Sequence, residues 1–247
     1  MHISSFNTMH YLLRKVGSHF SETGGKRTLR VLDVGSKNVG PTDLSYKKIA
    51  EEFKHEYVGL DLSEGDNVDV VCDDPYKFPV QSGSFDVVIS GQAFEHIEFP
   101  WLTIREVARV LKSGGVAVII APCSGPEHKF PVDCWRFYPD GMRALAKWGG
   151  LECVFADANW DEAEIFMMGD AVGLFRKPED AGGEGRSANV RPLSIDVPLS
   201  FMRQYAPIRL FYIRFLNLIR ALTMPYFLAR KFPMIRDILE RPNRKKY

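Results

Sequence analysis

The sequence predicts an α/β protein built on a mostly parallel sheet with helices on both faces, followed by a basic helical extension at the C-terminus. Three observations lead there. From Leu29 onward, short β-branched runs alternate with amphipathic stretches, the pattern of repeated βαβ units. One such run, Val31-Leu32-Asp33-Val34, ends in a glycine turn ahead of a helical pattern. Charge is also divided unevenly: from Ser187 to Tyr247, nine Arg and three Lys face only Asp196, Asp237 and Glu240, a net of +9. The 247-residue chain has a formal net charge of only +1, so the remainder carries −8.

Strands are expected at residues 29–34, 57–60, 68–71, 85–90 and 116–121. Most are short apolar runs, as strands covered on both faces must be. Helices are expected at 42–53, after the first strand, and at 101–111, after the fourth. The second closes on Lys112-Ser113-Gly114-Gly115, a basic last turn and a glycine stop. An irregular segment spans 122–139, a helix follows at 140–148, and two further strand-like runs lie at 151–156 and 171–175. Pro178 and Gly182-Gly183-Glu184-Gly185 mark 177–189 as a flexible linker between a main domain, 1–176, and a tail, 190–247. In the tail, Ile208, Phe211, Tyr212, Phe215, Leu218, Ile219 and Leu222 recur at helical spacing, with Arg203, Arg209, Arg214, Asn217 and Arg220 on the opposite arc. Those arginines interrupt any apolar run of about 20 residues, which argues against a transmembrane helix.

With 45% hydrophobic and 26% charged residues, the chain can bury one full core and still carry an appendage. Cys72, Cys123, Cys134 and Cys153 show no CxxC spacing, so neither a disulfide framework nor a zinc cluster is expected and a reducing, cytoplasmic setting fits. Residues 1–20 carry polar and charged groups throughout and lack the apolar run of a signal peptide. An acidic body with a basic tail points to an anionic contact for the tail: a membrane surface, a nucleic acid or the body itself.

The chemistry is carried by an ordered set of motifs. Gly35 lets a ligand approach the backbone where a Cβ would stand, and Gly40 eases the start of the helix. Asp61 closes Tyr57-Val58-Gly59-Leu60-Asp61, about 20–30 positions after the turn, where a carboxylate can accept two hydrogen bonds from a ribose diol. Both features suit an adenosine cofactor. Next come Asp73-Asp74-Pro75-Tyr76-Lys77-Phe78-Pro79, Ser84-Phe85-Asp86-Val87-Val88, Glu95-His96 and Leu111-Lys112-Ser113-Gly114-Gly115. With Asp33-Val34-Gly35 and Asp61, this series resembles the class I methyltransferases that depend on S-adenosylmethionine (SAM), in particular their type 11 branch, over about residues 28–176.

The resemblance implies a Rossmann-like, seven-stranded methyltransferase sheet, SAM as cofactor and transferase activity. It places Asp33 and Gly35 beside the methionine part of SAM, Asp61 on the ribose, and Asp73 or Asp74 on the adenine amino group, with Ser36, Leu62 and Gly91 completing the cofactor set. Two departures stand out. Pro75 has no N–H to offer the adenine ring, so Asp73 with the N–H of Asp74 is an alternative to Asp74. In the first loop Gly35-Ser36-Lys37 replaces the tight G-x-G, and Asn38 is a further contact that a longer loop would add. A nicotinamide dehydrogenase would be expected to show G-x-G-x-x-G, and positions 35 to 40 keep only the first and last glycine.

For the acceptor side, Glu95-His96 lies just past the fourth strand, and His96 is the first choice for general base. The segment from Pro122 to Tyr138 is dense in aromatic, His, Asp and Arg residues and resembles a His-x-x-Pro-x-Asp-x-Trp-Arg pattern of type 11 relatives acting on sugars and cell-surface glycans. There His128 and Asp133 are either a second base with its orienting acid, or metal ligands, or members of a loop pinned by Trp135 and an Arg136 ion pair; no metal site is assigned. Cys123 after Pro122 suggests pyrimidine methylation only weakly, and Ser90-Gly91-Gln92-Ala93-Phe94 replaces the signature of amino-group DNA methylation.

The expected function is therefore O-methylation of a sugar, a cell-surface glycan or a lipid-linked saccharide intermediate. Its expected partners are a saccharide or other small-molecule acceptor and an anionic membrane surface met through the tail, at the inner face of a membrane. The tail packing on its own domain or on a second copy, as in a homo-oligomer, is the other reading. An RNA methyltransferase and a non-catalytic SAM-binding scaffold are the alternatives for the whole chain.

Overall fold

The computed structural model of the chain describes residues 3–25, 27–39, 44–159 and 169–179. Gly40, the start of the helix expected at 42–53, most of the expected linker and the whole expected tail lie outside these residues.

Seven strands make one sheet: β1 (Arg30–Val34), β2 (Glu56–Asp61), β3 (Val70–Val71), β4 (Phe85–Gly91), β5 (Leu111–Pro122), β6 (Glu152–Ala158) and β7 (Asp170–Arg176). Their order across the sheet is β3-β2-β1-β4-β5-β7-β6. The pairs from β3 to β5 are parallel, and β7 runs antiparallel between β5 and β6. This is the α/β sheet expected from the alternating pattern and, in its seven strands, the Rossmann-like sheet that the resemblance implies. Strand order reverses between β1 and β4, so the loops leaving their carboxyl ends part in opposite directions and open a crevice where ligands bind.

Alternation along the central strands explains why both faces hold. Val31, Val87, Ile89, Val116, Val118 and Ile120 pack with α1 (Ile3–Gly24) and α2 (Tyr46–Glu52) on one face. Leu32, Val88, Ala117, Ile119 and Ala121 pack with α3 (Pro100–Val110) and α4 (Pro139–Trp148) on the other. Side chains of successive strand residues point to opposite faces, so a run with no polar interruption needs helices on both.

Three local readings are corrected. Residues 3–20, in a stretch read only for the lack of a signal peptide, form most of α1, which buries Met9, Leu12, Leu13 and Val16 at helical spacing. The helix expected at 101–111 stops at Val110, and Lys112 to Gly115 belong to β5 rather than to a glycine stop. Leu111 turns extended (φ −65°, ψ 137°) and pairs with Phe85, and the register then shifts before Val87 meets Val116. Lys112 explains the early strand: its Nζ donates to the buried Asp86 carboxylate at 2.8 Å, fixing the segment beside β4. The helix within 42–53 runs over α2 with Ser45 as its cap, the hydroxyl accepting from the Lys48 N–H at 3.4 Å.

Candidate active site

The crevice above β1 and β4 gathers half of the eight residues expected to hold a cofactor. Asp33, Gly35, Ser36 and Gly91 line it, together with Tyr46, Asn67 and Gln92. Asp33 is buried, and its Oδ2 accepts a hydrogen bond from the Tyr57 hydroxyl at 2.8 Å. Its Oδ1 has no hydrogen-bond partner among the described residues. Burial pushes the Asp33 carboxyl up to about 7, against the Tyr57 hydrogen bond and with the help of the nearby Asp61 charge. A buried acid with one oxygen unmet in a cleft is suited to an incoming cation, and the methionine ammonium of SAM is one.

Backbone geometry keeps the crevice open. Gly35 has φ +80°, its N–H donates to the Leu60 carbonyl at 2.9 Å, and a Cβ there would overlap Ala93. A Cβ on Gly91 would overlap the Tyr46 ring. Gln92 also sits in the left-handed region, with φ 59°; its N–H continues the sheet to the Ile120 carbonyl and its side-chain amide donates to Asp170 at 2.9 Å. A non-glycine residue held there is strained, and such strain is concentrated at functional sites.

Asp61 ends β2, and its Oδ2 accepts the Lys37 N–H at 2.9 Å, tying the first loop to the second strand. Leu62 follows it and is 52% exposed, free to cover a flat ligand. Of the two acids after β3, Asp74 turns its Oδ1 onto the Tyr76 N–H at 2.8 Å, while Asp73 is exposed. The residues present therefore fit SAM: an unmet buried oxygen at Asp33, a cradle at Gly35 that a Cβ would fill, and acids at the ends of β2 and β3.

The residues expected on the acceptor side lie directly beyond β4. Glu95 and His96 sit on a single 3-10 turn, Phe94–His96. The segment after β5 docks on that turn, with the N–H groups of Cys134 and Trp135 donating to the Glu95 carbonyl at 2.7 and 3.3 Å. The three expected acceptor-side residues, His96, His128 and Asp133, thereby meet around Glu95. His96 Nδ1 is 2.6 Å from the Val132 carbonyl, so it carries the proton and Nε2 keeps the lone pair. That Nε2 is 3.5 Å from Glu95 Oε1, and His128 Nε2 is 3.8 Å from the same oxygen. His128 Nδ1 lies 3.4 Å from Asp133 Oδ2. The Asp133 carboxylate is gripped by Arg136 at 2.6 and 2.8 Å and by the His128 N–H, and the Arg136 contact first of all holds its pKa far below the carboxylate range. Asp133 is thus the partner of the Arg136 ion pair and at the same time lies within reach of the His128 ring.

Glu95 was legible only as the neighbour of His96. Its side chain is fully buried, and neither carboxyl oxygen finds a hydrogen bond on another residue among those described. Burial pushes its pKa up to about 8. Burial likewise lowers the pKa of His96, against the Val132 hydrogen bond and with His128 adding to the fall. Tyr46, Tyr57 and Gln92 are the site residues that sequence reasoning missed. For Tyr57 a signal was present, since it shares a strand face with Gly59 two residues from Asp61.

Comparison with known proteins agrees with this geometry. A family model described as a methyltransferase domain matches residues 23–119. Over 135 residues the chain is 30% identical to 2-methyl-6-phytyl-1,4-hydroquinone methyltransferase 2, a chloroplastic protein of Oryza sativa subsp. japonica, covering 46% of this chain and 35% of that one. The chain thus spans about a third of the length of that curated relative. Among solved structures, a sarcosine dimethylglycine methyltransferase candidate from Galdieria sulphuraria superposes with a TM-score of 0.53 at 17% identity, over 70% of this chain and 85% of that one. The 1,6-didemethyltoxoflavin-N1-methyltransferase of Burkholderia thailandensis gives 0.50 at 16% identity, over 67% and 77%. Residues 23–119 thus match a methyltransferase domain, and they lie on a seven-stranded sheet of order 3-2-1-4-5-7-6, a Rossmann-like methyltransferase fold whose crevice residues fit SAM.

Proposed function

We propose that the chain is an enzyme that moves a methyl group from SAM to a hydroxyl of a saccharide or of a saccharide-bearing lipid. The observation that carries the reading is the Glu95–His96–His128 cluster, which begins three residues beyond the crevice-lining Gln92. Methyl transfer is an in-line displacement: the S–CH3 bond breaks, an O–CH3 bond forms, and the sulfonium becomes a thioether. Alignment is its main demand, and the acceptor hydroxyl must also lose a proton. His96 is the group to take it, because its Nδ1 proton is held by Val132 and its Nε2 lone pair is free to accept. His128, oriented by Asp133, stands beside it with ring centroids 5.0 Å apart.

A saccharide acceptor is favoured by the surface next to this cluster. Tyr76, Phe99, Trp101 and Trp135 form a connected chain of rings with successive centroids 5.7, 5.7 and 5.8 Å apart. Trp101 and Trp135 are 36% and 38% exposed, and the Trp135 indole N–H donates to the Ile97 carbonyl at 3.0 Å, which fixes its plane. Exposed, fixed aromatic faces beside a polar catalytic cluster suit a ligand with an apolar face and many hydroxyls. The basic tail would hold the enzyme at an anionic membrane surface where a lipid-linked acceptor resides. No helix among the described residues is long and apolar enough to cross a membrane.

Label from radioactive SAM, followed into lipid extracts and soluble saccharides of a lysate, tests the reading. Incorporation into a glycan or glycolipid fraction is expected, with a loss on the order of 100-fold in His96→Gln. Incorporation into RNA, or into nothing while SAM still binds, would instead favour an RNA methyltransferase or a scaffold. If deleting residues 187–247 leaves the distribution between membrane and soluble fractions unchanged, the tail has another task.

A further inference from the structure

We propose that Glu95, His96 and His128 form a binding site for one divalent transition-metal ion. The inference deepens the acceptor-side reading and rests on it only for what the ion does; the site itself stands on geometry. One ligand atom from each residue lies within 4.8 Å of the others. Glu95 Oε1 is the focus, 3.5 Å from His96 Nε2 and 3.8 Å from His128 Nε2. A tetrahedral ion with bonds of about 2.0–2.1 Å places its ligand atoms about 3.3 Å apart, so closing around one requires only small side-chain movements.

Two further features point to a cation rather than to a polar cluster closed on itself. Both imidazoles have Nδ1 beside oxygen acceptors: His96 on the Val132 carbonyl, and His128 on Asp133 Oδ2 and the Pro126 carbonyl at 3.4 Å each. That arrangement leaves both Nε2 lone pairs for the ion, and a carboxylate or carbonyl behind the distal nitrogen is the usual support of a metal-binding histidine. The Asp133 carboxylate is in turn anchored by Arg136, so the support of His128 is itself fixed. Meanwhile Glu95 is fully buried with both oxygens unmet, an arrangement that costs free energy until a proton or a cation compensates it.

Two imidazoles and one carboxylate favour Zn²⁺, Fe²⁺ or Co²⁺ over Mg²⁺ or Ca²⁺, which take oxygen ligands. An ion held by three protein groups keeps room for a further ligand; with it bound, the His96 Nε2 lone pair is a metal ligand and no longer a base, and the ion would instead polarise the acceptor hydroxyl so that its proton is lost to solvent.

The full chain, stripped with a chelator, is titrated with Co²⁺ and followed by its visible absorption, and with Zn²⁺ in competition with a chromophoric chelator. One ion per chain is expected, with visible bands of a low-coordinate site and no competition from millimolar Mg²⁺. Glu95→Gln, His96→Gln and His128→Gln should each weaken binding on the order of 100-fold, while His10→Gln, on the surface pair with Glu52, should not. Circular dichroism and S-adenosylhomocysteine binding on the same samples show that each variant is folded. His128, 31% exposed, is the least demanding of the three to replace. Absence of ion binding in a chain that binds S-adenosylhomocysteine overturns the inference alone, as does equal affinity in the wild type and His128→Gln. Failure to bind S-adenosylhomocysteine overturns the function proposed above and leaves the ion titration readable.

Discussion

Asp33 concentrates the conflict between folding and function at the residue scale. Its carboxyl is buried with one oxygen unmet, and its pKa is raised from 3.8 to about 7. Between those two values the folded chain therefore binds more protons than the unfolded chain, and stability without ligand falls as pH rises through that window. Above it the loss is complete. Asp33→Asn, which needs no proton, should flatten the melting temperature between pH 4 and 7 and raise it at pH 8. The same change should weaken SAM, because the charge that destabilises the empty site attracts the ammonium. For the wild type, SAM affinity should rise as pH climbs toward and past about 7. A variant that gains stability without losing affinity would separate Asp33 from the cofactor. The placement of Asp33, Gly35 and Asp61 was legible because it follows from backbone position at a strand end. Tyr57 and the buried state of Glu95 were less so, since both depend on which distant groups the fold brings near.

At the scale of elements, the carboxyl ends of β1 and β4 are shaped by what is missing as much as by what is present. Gly91 ends β4 under the Tyr46 ring, and Tyr46 is fixed from behind by a 2.7 Å hydrogen bond between its hydroxyl and that of Ser5 on α1. The N-terminal helix thus sets the wall of the crevice from the opposite end of the domain's sequence. Gly91→Ala should destabilise the fold by about 1–3 kcal/mol, read from chemical denaturation, and weaken SAM at the same time. Unchanged values of both would mean that Tyr46 is free to move. The sequence predicted every strand of the sheet, and for β1, β4, β5 and β7 the reason is that a run buried on both faces leaves a continuous apolar signature. It misread 111–115, where a basic residue and two glycines look like a helix end but serve a strand bulge, Lys112 being drawn to Asp86 by a contact that no local pattern records. α1 carried its signal in Met9, Leu12, Leu13 and Val16, masked by the polar residues between them.

For the molecule as a whole, the topology explains why one end of the sheet carries both the crevice and the proposed acceptor cluster. The strand order reverses between β1 and β4, which opens the crevice, and the chain leaving β4 passes at once into the Glu95–His96 turn. The crevice and the proposed acceptor groups are therefore neighbours by connectivity, separated by little more than Gln92 and Ala93. That convergence was legible in outline from the motif order, whereas the meeting of His96 with His128 required the segment after β5 to fold back onto the turn, a contact across 32 positions that spacing alone does not specify. The central claim is that the ends of β1 and β2 hold SAM, and calorimetric titration of the full chain with SAM, in wild type and Asp61→Ala, tests it most directly. The account predicts one site per chain, with affinity lowered at least about tenfold by the substitution, the scale of a hydrogen bond to a charged group. No binding by the wild type, or equal affinity in Asp61→Ala, would contradict it.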